Sequence, residues 1–344
     1  MLLDRFIGLQ INREHNYAVL LLRIQCHEQS WIRVSRRILF EIPSWPARLH
    51  RLNCVMNDTA DRKLASLDYR VVKALGAGAG SSILLIQDSE TRKQYALKVV
   101  KRVSADDDIY VKQAQHEFAV AQRLSHPSII KIYDARVIKR WFRIDSVEVL
   151  MEYIDGKDLD HVQLKDIGQI VLIFSQIALA LEHMHKRGVY HGDVKPSNLM
   201  LSHKGEVKLI DLGTAWIKGE PKNRIQGTVQ YMAPEQVNER TVDERTDIYN
   251  FGATLYRILT GQYANLDIPG MNLGSLGRRM RKSPIEIRSE IPGTLNEAIM
   301  ACLEEKPDQR PASFYAIKSQ LLAVARHMGL DTEDIQGSGD SAEF

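Results

Sequence analysis

Hydrophobic and polar positions change their rhythm three times along this chain. In residues 1–55 the apolar positions gather in two clusters, 17–24 and 31–42, which predict strands or short helices with a basic face. Residues 57–66 are polar and predict a linker or short capped turn. From Tyr69 the apolar runs become short and β-branched: 69–75, 83–87 and 95–100 predict strands separated by turns, and 147–153 predicts another. Between them, 112–124 places Phe118, Ala121 and Leu124 on one helical face. Beyond 153 the spacing turns helical, with apolar residues at i, i+3 and i+4 in 166–187, 243–260, 294–305 and 313–328. The pattern predicts a small strand-rich lobe followed by a larger helical one. The polar, acidic stretch from 329 predicts disorder.

Composition narrows the picture only a little. The 344 residues suit one large or two ordinary domains, and 44% hydrophobic with 26% charged residues is a globular balance. A net charge of +3 gives no reason to expect a nucleic-acid partner. Residues 1–55 hold eight Arg and no Lys. Cys26, Cys54 and Cys302 show neither metal-ligand nor disulfide spacing, which fits a reducing compartment. The greasiest stretch, 18–22, is interrupted by Arg23, and Asp4 and Arg5 sit where a signal peptide would begin. The expectation is a cytoplasmic chain without a membrane anchor; oligomeric state is not written in the sequence.

The chemistry is concentrated in 191–213. His191-Gly192-Asp193-Val194-Lys195-Pro196-Ser197-Asn198 is followed by Asp211-Leu212-Gly213. Metal-dependent phosphoryl transfer needs a carboxylate to orient a hydroxyl, hard oxygen ligands for Mg²⁺ and a cation on the phosphates. The eighteen residues from Asp193 to Asp211 contain a predicted hairpin, 199–202 and 207–210 about Lys204-Gly205, so both carboxylates can return to one end of a cleft. Gly76-Ala77-Gly78-Ala79-Gly80-Ser81 lies between two predicted strands, where glycine allows close approach of backbone to phosphate; alone it reads equally as a hairpin turn. Lys98 inside an apolar strand needs a partner. Glu117 is the best candidate, although in isolation it reads as an ordinary helix carboxylate.

Jointly and in order, these motifs resemble the eukaryotic-like (Hanks-type) serine/threonine protein kinase family, in its bacterial idiom, over roughly 69–328. The resemblance implies an α+β, bilobal protein-kinase-like fold: an N-lobe at about 67–152, a C-lobe at about 155–328, an extension and linker at 1–66 and a disordered tail at 329–344. It implies ATP and Mg²⁺ as cofactors and Ser/Thr hydroxyls of proteins as acceptors. Asp193, Lys195, Lys98 and Glu117 would be catalytic, and Asn198 and Asp211 would hold the metal. Gly76, Ala77, Gly78, Ala79, Gly80, Ser81, Ile83, Ala96, Lys98, Met151, Glu152, Ile154 and Met200 would hold the nucleotide, with adenine on the backbone of Glu152 and Ile154. Gly227-Thr228-Val229-Gln230-Tyr231-Met232-Ala233-Pro234-Glu235 matches the end of an activation segment, with Arg310 as the partner of Glu235 and Asp247 as the brace of the catalytic loop.

The departures are informative. Gly192 stands where many relatives carry an arginine that pairs with a phosphate on the activation segment. Between Asp211 and Glu235 the hydroxyl residues are Thr214, Thr228 and Tyr231, none an ordinary phosphosite. Activity independent of activation-segment phosphorylation is therefore expected. Lys195 and Thr228 favour serine/threonine over tyrosine acceptors, and Ser197 replaces a glutamate common where basic substrates are preferred. Arg278, Arg279, Arg281 and Lys282 could attract acidic substrates or form a solvated loop. Ala121 is small for its position and could loosen the helix unless residues 1–60 pack against that lobe. Two rivals stand beside the protein kinase: a small-molecule phosphotransferase of the aminoglycoside-kinase type, where His-Gly-Asp is at home, and a nucleotide-binding pseudokinase.

Overall fold

The computed structural model describes the backbone of 5–12, 17–25 and 31–33, and residues 63–78, 80–104, 106–140, 143–220, 227–238, 242–264 and 281–332. The chain separates into two units, Met1–Asn57 and Asp58–Phe344. In the first, β1 (Arg5–Asn12), β2 (Tyr17–Gln25) and β3 (Trp31–Arg33) form an antiparallel sheet in that order. The apolar cluster beyond 33, residues 57–62, Ala79, Arg278, Arg279 and the acidic tail from 333 lie outside the described residues.

The second unit opens with a helical turn, α1 (Lys63–Ser66), and a five-stranded antiparallel sheet. Its strands are β4 (Tyr69–Gly78), β5 (Ser81–Asp88), β6 (Gln94–Lys101), β7 (Ile132–Arg140) and β8 (Arg143–Glu152), in the order β4-β5-β6-β8-β7. The turn α1 occupies the end of the segment expected as a linker. Leu64 is buried, its N–H donates to Asp134 Oδ2 at 2.8 Å, and Lys63 Nζ sits 4.5 Å over the Tyr133 ring. A buried carboxylate on β7 thus captures an orphan N–H of that helical turn. Helix α2 (Asp108–Ala121) crosses the sheet; it starts four residues earlier than the apolar spacing indicates, where Asp107 and Asp108 favour a helix N-terminus.

Short strand β9 (Gly156–Asp158) leads into the helical lobe. Its centre is α3 (Ile167–Lys186), capped by Asp166 accepting from Gln169 N–H, with His183, His185 and Lys186 in the last turn. This helix is long and apolar enough to cross a membrane, which the broken apolar runs of the sequence did not suggest; 72% of its apolar window is buried inside the fold. Strands β10 (Val189–Tyr190), β11 (Leu199–Ser202), β12 (Val207–Leu209) and β13 (Trp216–Ile217) make two small ladders, β10-β13 and β12-β11-β9. Then follow α4 (Pro234–Asn238), α5 (Glu244–Thr260), α6 (Pro284–Ile287), α7 (Gly293–Cys302) and α8 (Phe314–His327). Edge-to-face contacts of Phe251 with Phe174 (5.3 Å) and with Phe314 (5.4 Å) lock α3, α5 and α8 together. A strand-rich part followed by a helical part is the α+β arrangement expected.

Candidate active site

The predicted hairpin is β11 and β12, in register Leu199↔Leu209. It sets Asn198 just before one strand and Asp211 just after the other, so folding alone returns both ends of the motif to one place. Asp193 is 5% exposed. Its Oδ1 accepts the Thr228 N–H at 2.8 Å, and its Oδ2 lies 2.8 Å from Lys195 Nζ. Lys195 Nζ donates in turn to Thr228 Oγ1 at 2.7 Å. Thr228 therefore joins the carboxylate, the lysine and the activation segment in one ring of bonds.

Asn198 Nδ2 donates to Asp193 O at 2.9 Å, which fixes the side-chain amide. Asp211 adopts a left-handed backbone (φ 61°), strain that an ordinary residue tolerates only where its surroundings impose it. Lys98 Nζ meets Glu117 Oε2 at 2.7 Å, and Glu117 is 1% exposed. Burial works against the lysine's charge, but Glu117 and Asp211 outweigh it and raise the Lys98 pKa. The ammonium is held in its cationic form beside two carboxylates. A buried amide and a carboxylate backed by a cation form an oxygen donor set that fits a hard divalent ion.

The glycine-rich turn is a tight connection between β4 and β5, with Gly76↔Ile83 and Gly78↔Ser81 in register. Gly80 has φ +69°, and an added Cβ would stand 2.8 Å from Tyr110 Cδ2 of α2, so glycine is required there on two counts. Ala96 and Met151 pair across β6 and β8 and are buried. Glu152 gives its N–H to Lys131 O at 2.9 Å, and its carboxylate pairs with Lys208 at 2.8 Å. Ile154 is buried and Met200 partly so, packed against the core.

The platform beyond Thr228 is pinned from beneath. Arg310 meets Glu235 in a two-pronged pair, NH1–Oε1 2.8 Å and NH2–Oε2 2.9 Å, with both side chains buried. Asn250 Nδ2 donates to Tyr231 O at 2.7 Å, and Gln236 Nε2 to Gly192 O at 2.9 Å. Arg281 is not available to a substrate. Its guanidinium donates to Ala264 O, Leu303 O and the Tyr249 hydroxyl, so this member of the basic stretch is a structural residue.

Asp247 is wholly buried and takes the His191 N–H at 2.8 Å and the Gly192 N–H at 2.7 Å. His185, which no local spacing singles out, completes this brace: its Nε2 lies 2.8 Å from Asp247 Oδ2. Its Nδ1 stands 3.3 Å from Glu244 Oε1, an ionic contact too oblique for a regular hydrogen bond. Burial opposes the His185 charge, but Asp247 and Glu244 reverse the balance and raise its pKa to about 9. Asp247 is held below the usual carboxylate range, since His185 and the loop N–H groups outweigh its burial.

A group whose pKa is raised on folding stabilises fully below its unfolded value and loses that contribution as pH climbs through the folded one. The His185 contribution is thus complete below pH 6.5 and gone above about pH 9. A rise of this size is worth ~3 kcal/mol. Urea unfolding at pH 6.5 and 9.5 should show wild type losing ~3 kcal/mol more than His185→Gln over that interval; equal losses would remove the histidine from the brace.

A protein kinase domain family model matches residues 69–322. The chain belongs to the protein kinase family. It is similar to a probable serine/threonine-protein kinase of Clostridium acetobutylicum, 30% identical over 286 residues, 80% of this chain and 43% of that protein. Serine/threonine-protein kinase PknB of Mycolicibacterium smegmatis is 29% identical over 271 residues, 74% of this chain and 43% of that protein. Serine/threonine-protein kinase pkn3 of Myxococcus xanthus is 29% identical over 281 residues, 76% and 51%. The chain spans about half or less of the length of these relatives. Its kinase domain is thus similar to those of bacterial proteins named as serine/threonine-protein kinases.

Proposed function

We propose that this chain transfers the γ-phosphate of ATP, with Mg²⁺, to serine or threonine hydroxyls of protein substrates. The observation that carries the reading is the ring formed by Asp193, Lys195 and Thr228. It ties a carboxylate fit to orient a hydroxyl to a lysine fit to balance a transferring phosphoryl group. In this reading Lys98, held by Glu117, steadies the nucleotide phosphates, and Asn198 and Asp211 hold Mg²⁺. Bound Mg²⁺ would neutralise phosphate charge. Gly76, Ala77, Gly78, Gly80 and Ser81 cover the phosphates, and Ile83, Ala96, Met151, Ile154 and Met200 enclose the base. Since the Glu152 N–H is already given to Lys131, its share of adenine binding falls to its carbonyl. The buried pinning of 231–236 supports a protein rather than a small-molecule acceptor.

The same reading makes the site independent of activation-segment phosphorylation. Gly192 has φ +71°, a backbone that an arginine side chain would strain. Tyr231 is 6% exposed, Thr228 Oγ1 accepts from Lys195, and Thr214 Oγ1 donates to His191 O. Each hydroxyl residue of the segment is thus either bonded or buried.

Incubation with γ-labelled ATP, Mg²⁺ and a generic protein, followed by phosphoamino-acid analysis, tests the reaction. Label on serine and threonine, dependent on Mg²⁺, is expected. Label on tyrosine alone, or transfer to hydroxylated small molecules with none to protein, would overturn it.

A further inference from the structure

A helix that carries one half of an ion pair must be held in place by more than that pair. Lys98–Glu117 restrains α2 at a single point, and a single bond leaves the helix free to roll. Three side chains of α2 reach the short loop that follows Asp211. Glu117, bonded to Lys98, faces the Leu212 N–H, which favours the charged form that burial opposes. His116 places Nε2 2.6 Å from Ala215 O. A carbonyl only accepts, so the imidazole donates from Nε2. Gln113, one turn earlier, packs over Gly213, where an added Cβ would stand 2.8 Å from its Cγ.

Successive helical residues point about 100° apart around the axis. The His116 bond to Ala215 O and the packing of Gln113 on Gly213 therefore hold α2 to one loop at two points and restrain both its position and its rotation. The far end of that loop is held as well. Tyr190 pairs with Trp216 in the β10-β13 ladder, and their rings stack at 5.9 Å. His116 consequently donates to a carbonyl anchored in the helical lobe, and the bond spans the two lobes.

We propose that His116 is a positioning residue that keeps Glu117 on Lys98 by clamping α2 to the Ala215 carbonyl. It holds the site together without a phosphate on the activation segment. The inference rests on the kinase reading above and supplies its mode of regulation: assembly is encoded in the side chains and needs no modifying enzyme.

The test uses the full chain, produced with a phosphatase and confirmed by intact mass to carry no phosphate. Four proteins are compared: wild type, His116→Ala, His116→Leu and His116→Gln, whose amide can donate over a similar reach. His116→Ala and His116→Leu should lower kcat ~10- to 100-fold, the scale of a misplaced catalytic group. His116→Gln should recover most of that loss. In a Glu117→Ala background, His116→Ala should change kcat less than about twofold, because a clamp acting through Glu117 has nothing left to position. The inference is overturned by a His116→Ala rate within about twofold of wild type. It is equally overturned if His116→Gln is as impaired as His116→Ala, or if the loss is undiminished without Glu117. An inactive phosphate-free wild type would instead refute phosphate independence, and the clamp's role as its replacement falls with it. The two failures are read from different proteins.

Discussion

Asp193→Asn should cut kcat for protein phosphorylation by ~10³-fold, within the span assigned to a positioned base. Asparagine keeps the volume, and its Oδ1 can still accept the Thr228 N–H that now reaches the carboxylate at 2.8 Å. What changes is local. The negative charge disappears, and an amide NH₂ is placed against the Lys195 ammonium that now lies 2.8 Å away. Nucleotide affinity should move less than about threefold, since Lys98, Glu117 and Asp211 are untouched. Initial rates at saturating ATP, with equilibrium binding of Mg²⁺-ATP, separate the two effects. A kcat within about threefold of wild type would remove Asp193 from the chemistry; a collapse of binding with it would mean that the substitution disturbs the whole loop.

Arg310→Met should destabilise the kinase domain by about 3–5 kcal/mol, the usual cost of leaving one member of a buried pair uncompensated. Glu235 is 5% exposed and, among the described residues, would keep the Thr246 hydroxyl as the one hydrogen-bond donor to its Oε1. The guanidinium does more than pair. It donates to the carbonyls of Glu304, Glu305 and Arg245 and stacks on the Tyr249 ring at 4.8 Å. These bonds join 234–236 to α5 and to the loop before α8, so the melting temperature should fall by roughly 10 °C. Thermal unfolding checks this, and Arg310→Met combined with Glu235→Leu serves as the control. Removing both charges should restore part of the loss, because the unpaired carboxylate is then gone. A single variant as stable as wild type would show that the pair is not a structural support.

The placement of Asp193, Asn198 and Asp211 was legible because these residues are close in sequence and a hairpin returns the chain between Asn198 and Asp211. The positions of strands β4, β5, β6 and β8 were legible for a local reason: short β-branched runs alternate with turns. Strand β7 was not, since Asp134, Arg136 and Lys139 break its apolar pattern; Asp134 serves Leu64, seventy residues earlier. Lys98–Glu117 was assigned from motif order, and the structure brings the two within 2.7 Å. His185, Gln236 and His116 left no trace in the spacing. Their bonds run to Asp247 Oδ2, Gly192 O and Ala215 O, over 62, 44 and 99 residues, and a side chain seeking a distant partner has no period. Arg281 illustrates the opposite error. In sequence it belongs to a basic cluster; in the fold its donors are turned inward. Ala121 was singled out as small, and it borders a cavity of about 560 Å³.

The site should be competent as translated, with no phosphate on the activation segment. The decisive measurement is the initial rate of serine/threonine phosphorylation by the 344-residue chain shown by intact mass to be unphosphorylated. It should be compared with the same protein after preincubation with Mg²⁺-ATP. The progress curve should show no lag, and the two rates should agree within about twofold. A lag abolished by preincubation, with a rate rising tenfold or more as phosphate enters 212–235, would contradict it.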